Sequence, residues 1–113
     1  MKTPELSGAA LDWAVANCEG LVSIDTKNLF EPWYLLRDYI PSTNWAQGGP
    51  IIEREGFQVL HVQGGDNPVW KVESPRAIRQ YGPTPLIAAM RCYVASKLGE
   101  EVEIPEEVSN ADI

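Results

Sequence analysis

The chain contains one histidine, His61, and two cysteines, Cys18 and Cys92, in 113 residues. That inventory falls short of a structural zinc set, and the spacing matches none. A hydrolytic triad would have to be built around His61, which sits in an ordinary strand pattern between Gln58 and Gln63. No Asp/Glu cluster has metal-ligand spacing; Glu53 and Glu55 come nearest, and Gly56 beside them signals a turn. The sequence therefore argues against an enzyme, a metal and a cofactor. No apolar run approaches the roughly 20 residues that span a bilayer. The start, Met1-Lys2-Thr3-Pro4-Glu5, lacks the apolar stretch of a signal peptide, so a cytosolic setting with reduced thiols in helices is expected. Lysine and arginine are missing from residues 100–113, which hold six acids: Glu100, Glu101, Glu103, Glu106, Glu107 and Asp112. The formal net charge is −7, yet removing those six from sixteen acids leaves ten against nine bases. A near-neutral body with an acidic tail does not suit a binder of nucleic-acid backbones.

An apolar content of 44% is that of a globular protein. The length suits one domain, read as residues 1–105, with 106–113 as a frayed acidic tail. Glycine and proline cluster at Gly48-Gly49-Pro50, Gly64-Gly65 and Gly82-Pro83 and punctuate short elements. A first helix lies within Thr3–Cys18. Thr3-Pro4 offers one cap and Ser7-Gly8 a later one, which is favoured because Gly8 inside a helix costs about 1 kcal/mol. Leu11, Ala14, Val15 and Cys18 form its apolar face, and Gly20 ends it. Leu21–Ile24 and Trp33–Leu36 read as short strands. Phe57–Val62 and Val69–Val72 read as a hairpin joined by the turn-rich Gln63–Pro68. The strongest local signal is a second helix. Thr84 caps it, Pro85 takes the first position, Leu86, Ile87, Met90, Tyr93, Val94 and Leu98 form an apolar stripe, and Gly99 stops it. Val102 and Ile104 alternate with glutamates as a last edge strand. The expected fold is α+β: a short antiparallel sheet packed with two helices, one near each end of the chain.

Between the early strands and the hairpin, Asp38–Pro50 has almost no period and is expected to be a long irregular loop. Such segments are usually functional. Ser42 and Thr43 supply hydroxyls, Asn44 and Gln47 amides, and Trp45 a ring for stacking. Gly48-Gly49 can expose successive N–H groups as an anion nest. The structural alternative is a loop that plugs the core with Trp45. Near the second helix, Tyr81 and Thr84 flank an N-terminus that attracts anions, and simple capping by Thr84 is the alternative. Arg91, among apolar neighbours, suits a phosphate or carboxylate clamp, or else reaches solvent or pairs with an acid. Arg76 and Arg79 are more simply solvated. Trp33 and Trp70 read as packing residues. Trp13 falls off the first helix's main stripe and is expected to face a partner or groove.

Three segments together resemble the NinX-like family of small lambdoid phage and prophage proteins: Leu11–Ala16, Pro41–Glu53 and Gly82–Gly99. They extend over nearly the whole chain. Where the family usually carries Asp in the middle segment, this chain has Asn44, which removes a carboxylate from that position. The resemblance implies a phage origin, an early accessory gene and the host bacterial cytoplasm; it implies no reaction.

The function expected from these readings is non-enzymatic binding, in its specific form sequestration, of a small nucleotide-like host molecule. Its contacts would be Ser42, Thr43, Asn44, Trp45, Gln47, Gly48, Gly49, Tyr81, Thr84 and Arg91. The competing expectation is an adaptor or inhibitor of a host protein that uses exposed tryptophans and the acidic tail. Open strand edges suit a homo-oligomer.

Overall fold

The computed structural model describes residues 1–22, 38–63, 69–105 and 108, and the structural statements below concern those residues. A 3₁₀ turn at Thr3–Glu5 is followed by α1 (Gly8–Cys18), α2 (Trp45–Glu55), β1 (Gln58–Val62), β2 (Val69–Glu73), β3 (Arg79–Gly82) and α3 (Pro85–Leu98). The strands form an antiparallel sheet in the order β1-β2-β3. The α+β class is as expected, and α2 and β3 are elements that the sequence did not suggest.

α3 is the organising element. Thr84 accepts a hydrogen bond from the Ile87 N–H (3.1 Å), Pro85 opens the helix, and Gly99 leaves it at φ +88°. The proline needs no donor at that position, and glycine bears positive φ without strain. Beyond the expected stripe, Ala88, Ala89 and Cys92 are also fully buried, whereas Leu98 is exposed. The helix is covered by the sheet on one side and by α1 and α2 on others, so its small residues are core too.

α1 starts at Ser7-Gly8, and the Thr3-Pro4 pair forms its own 3₁₀ turn; both signals are used. Every residue from Ala10 to Ala16 is buried. Trp13 is only 6% exposed, so the expectation that it faces a partner is corrected: α1 is core on nearly every side.

The second correction concerns Asp38–Pro50. Turns occupy residues 41–43, but residues 45–50 are the first half of α2, and Ile51–Glu53 continues it. Asn44 is the reason. Its Oδ1 accepts from the N–H groups of Ala46 (2.8 Å) and Gln47 (3.3 Å), which supplies the cap that starts the helix. Pro50 lacks the N–H that would reach Ala46, and both residues are exposed, so water can serve that carbonyl. Gly56, at φ +70°, closes α2 by donating to Ile52 and Glu53 carbonyls.

The hairpin follows the expected limits within a residue. Its register pairs Val59 with Val72 and His61 with Trp70, and β3 adds Gln80 opposite Val72 and Gly82 opposite Trp70. Those residues share the helix-facing side of the sheet; Leu60, Lys71 and Tyr81 share the other. β3 went unseen in the sequence because Arg79-Gln80-Tyr81-Gly82 has no apolar alternation.

The chain ends are tied together. Met1 and Val102 exchange two backbone hydrogen bonds of 2.8 Å, and the Thr3 N–H donates to the Glu100 carbonyl at 2.8 Å. Thr3 Oγ1 donates to the Gly99 carbonyl at 2.7 Å. The edge strand expected at Val102–Ile104 is thus a single bridge, Lys2 with Glu101. Val108 is fully buried; the other residues read as tail lie outside the described residues. So do the strand expected at Trp33–Leu36, most of Gln63–Pro68, and residues 23–24 of the first expected strand, whose Leu21 and Val22 are not in a strand.

Candidate functional site

The structure separates the ten expected contact residues into two places. Those from Ser42 to Gly49 start α2 and have structural partners there. Ser42 is buried, and its N–H donates to Asp12 Oδ1 (2.9 Å) on α1. The Ser42 hydroxyl has no partner among the described residues. Thr43 is exposed, and Asn44 is the cap. Gln47 clasps the preceding turn: its Oε1 accepts from the Ile40 N–H (2.6 Å) and its Nε2 donates to the Asp38 carbonyl (2.9 Å). The Gly48 N–H donates to the Asn44 carbonyl (2.9 Å), so the glycine pair lies within the helix and does not form an anion nest. Trp45 does not plug the core. It stands 57% exposed on the first turn of α2.

The second place is an open groove of about 760 Å³ between β3, the 3₁₀ turn and α3. Pro4, Val69, Pro83 and Tyr81 give it an apolar surface, and Arg79 and Arg91 bring positive charge. Of the ten expected residues, only Tyr81 and Arg91 line it; Thr84 caps the adjoining helix. Gly82 lets β3 reach α3 here, since a Cβ on it would stand 2.8 Å from the Ala88 nitrogen.

Arg91 is held by backbone alone. Its Nε donates to the Leu6 carbonyl and its Nη1 to the Tyr81 carbonyl, each at 2.8 Å. No carboxylate pairs with it among the described residues. Burial lowers its pKa from the usual arginine value, and the high starting value keeps it charged at neutral pH. Arg79 is anchored to Glu73 through Nε at 3.1 Å, and its terminal nitrogens make no other hydrogen bond among the described residues. The Tyr81 ring is 49% exposed. The groove therefore combines a fixed cation, a tethered one and an uncovered ring.

A polar cluster that sequence reading missed joins the three helices. Arg54 on α2 reaches Glu19, just beyond α1, with two hydrogen bonds of 3.2 and 2.9 Å. It also donates to the Tyr93 hydroxyl (3.1 Å) and to Glu55 (3.0 Å). The Tyr93 hydroxyl donates to Glu19. Each nitrogen of Arg54 is occupied, which marks the cluster as a clamp between helices rather than a vacant site. Glu19, Arg54 and Tyr93 lie 35 to 74 residues apart in sequence, so no local signal could have revealed their meeting.

Both thiols are held in the protonated form. Burial pushes the Cys18 thiol up to about 12 and the Cys92 thiol up to about 11, leaving little thiolate at neutral pH. His61 is exposed and lies against the Trp70 ring, 4.6 Å between centroids. No group of three metal-ligating side chains occurs among the described residues. No described helix is long and apolar enough to cross a membrane.

A small α+β domain with an uncovered, cation-bearing groove is a fold and a site, not yet a lineage. The family model of bacteriophage P22 NinX matches residues 2–97. The chain belongs to this phage NinX family. A comparison with curated proteins found none that matches it.

Proposed function

We propose that this phage protein is a non-enzymatic accessory protein that binds a small nucleotide-like host molecule in the host bacterial cytoplasm. The observation that carries the reading is Arg91: a half-buried guanidinium fixed by two carbonyls, without a carboxylate among the described residues, at the wall of the groove. The groove volume of about 760 Å³ lies within the range of small-molecule sites. The exposed Tyr81 ring offers a stacking face and the two arginines suit an anionic group. No residue of the segment 41–50 lines this groove. The protonated thiols support binding over thiol catalysis. His61→Ala should leave every phage phenotype intact.

A thermal-shift panel of mono-, di- and cyclic nucleotides tests the proposal. At least one should raise the melting temperature by several degrees at about 1 mM, since saturation at a hundred times Kd adds about 2.7 kcal/mol. Tyr81→Ser should weaken that shift without harming the fold, because the side chain is exposed. A panel with no shift at that concentration rejects the reading.

The adaptor reading keeps one supporting observation. Trp45 is a large exposed aromatic, a residue type that anchors protein interfaces. Trp45→Ala would abolish capture of a host protein and leave ligand shifts unchanged if that reading holds.

A further inference from the structure

The wall of the groove carries two unused donors, one on Tyr81 and one on Arg91. At the tip of the β2–β3 hairpin, the Ser74 N–H donates to the Ile78 carbonyl at 2.8 Å, which puts these two residues at a hydrogen-bonded position, with the Ile78 N–H turned to Ser74 Oγ at 3.1 Å. Antiparallel pairs alternate between bonded and non-bonded. Counting along the register, Glu73 with Arg79 is non-bonded, Val72 with Gln80 bonded, Lys71 with Tyr81 non-bonded and Trp70 with Gly82 bonded. The N–H and C=O of a residue in a non-bonded pair both point away from the partner strand. For Tyr81 they point from β2 toward the free edge of β3, into the groove. Arg91 Nη1 takes the carbonyl at 2.8 Å. The Tyr81 N–H beside it has no partner among the described residues, and neither does Arg91 Nη2.

Resting on the small-molecule reading of the groove, we propose that the Tyr81 backbone N–H and Arg91 Nη2 form a two-donor seat for one oxyanion, carboxylate or phosphate, of a ring-bearing ligand. The seat is rigid before the ligand arrives: one donor is main chain in a paired strand, and the other belongs to a guanidinium fixed at two corners. Rigidity of this kind reduces the entropy lost on binding. Among the described residues, no acidic side chain lines the groove to repel an anion. The apolar surface from Val69, Pro4 and Pro83 lies within the same groove, where it can cover the ligand's ring. A lysine at 91 would bring charge without the planar fork that lets one side chain hold Leu6, Tyr81 and an anion at once.

The test uses the full-length, nitrogen-15-labelled protein in solution NMR. Without any ligand, the Tyr81 amide should exchange with water far faster than those of Gln80 and Gly82, whose pairs are bonded to β2. A Tyr81 amide as protected as its neighbours overturns the seat, with no variant needed. Inorganic phosphate, benzoate and adenosine monophosphate are then titrated. Saturable shifts of the Tyr81 amide and the Arg91 Nε–H support the seat, and phosphate or benzoate acting alone identifies the oxyanion it takes. Arg91→Lys should weaken them by about tenfold or more. If adenosine monophosphate raises the melting temperature while both signals stay still, the seat is wrong and the small-molecule reading survives. If the simple anions move both signals and no nucleotide binds more tightly than phosphate, the seat stands and the nucleotide reading fails.

Discussion

Gly48 meets the carbonyl oxygen of Pro41 so closely that a Cβ on it would lie 2.4 Å from that oxygen and 2.7 Å from Leu86 Cδ2. Neither neighbour yields easily, because one is backbone and the other belongs to a buried residue of α3. Gly49 has only Trp45 Cε3 nearby, at 3.9 Å. Adjacent glycines in one helix should thus respond in opposite ways. Gly48→Ala should destabilise by about 1–3 kcal/mol through overpacking. Gly49→Ala should stabilise by about 0.5–1 kcal/mol, the helix propensity difference. Urea midpoints for the two variants decide it, and equal shifts in the same direction would refute the packing argument.

The same glycines explain why α2 was hard to read. Gly48-Gly49-Pro50 carries helix-breaking propensity, and propensity is a weak prior that tertiary contacts override. The close approach that requires Gly48 involves Leu86, 38 residues away, and has no local signature. α3 was legible for the opposite reason: Thr84, Pro85 and Gly99 each act within one turn of the helix they bound. At the site, Arg91 and Tyr81 were recognisable as residue types. Their meeting was not, because the groove exists only where β3, the 3₁₀ turn and α3 converge, and β3 itself has no sequence period. Trp13 was misjudged because a stripe argument assumes one solvent face, and α1 has almost none.

The Glu19–Arg54–Tyr93 clamp should make stability depend on pH at both ends. The hydrogen bond from Arg54 is the main reason that Glu19 titrates below the usual carboxylate range; the Tyr93 hydroxyl and nearby positive charge add to it against burial. A folded pKa below the unfolded one gives stability that is present above the unfolded value and lost as pH falls through the folded value. Tyr93 is the reverse case. Burial, then its bond to Glu19, raises its pKa, so its contribution holds below the unfolded value of about 10 and fades as pH rises through the folded one. Glu19→Gln should cost about 1 kcal/mol near neutral pH, a modest figure because Arg54 is half exposed. Denaturant melts from neutral pH down to about pH 3 should show wild type and variant converging. A gap that stays constant on acidification would exclude the ionised clamp.

Ala77 is the one non-glycine among the described residues with positive φ, at +66°. It follows the turn Ser74-Pro75-Arg76, where Ser74 Oγ accepts from the N–H groups of Arg76 and Ile78 and holds the reversal in place. An L-residue in that conformation costs roughly 1–2 kcal/mol, part of which glycine gives back through its freer unfolded state. Ala77→Gly should stabilise by on the order of 0.5 kcal/mol. Ala77→Val, branched at Cβ, should destabilise by about 1 kcal/mol or more. Calorimetric melts of both would show it, and a valine variant as stable as wild type would mean that the turn relaxes freely.

The acidic end of the chain calls for two experiments rather than one. Cutting after Gly99 removes six acids, and it also removes the Glu100 and Val102 backbone partners of Thr3 and Met1 together with buried Val102 and Val108. Those partners place the segment that supplies Pro4 to the groove and the Leu6 carbonyl to Arg91. Truncation should therefore cost about 3 kcal/mol or more and abolish ligand shifts, for reasons unrelated to charge. Replacing Glu100, Glu103, Glu106 and Glu107 by glutamine instead lowers the net charge from −7 to −3 and keeps the backbone. That variant should melt within about 0.5 kcal/mol of wild type, because Glu100 and Glu103 are exposed. If it also keeps ligand shifts and loses capture of a host protein, the acids serve a partner. If the truncated chain melts with wild type, the pairing of the chain ends does not support the groove.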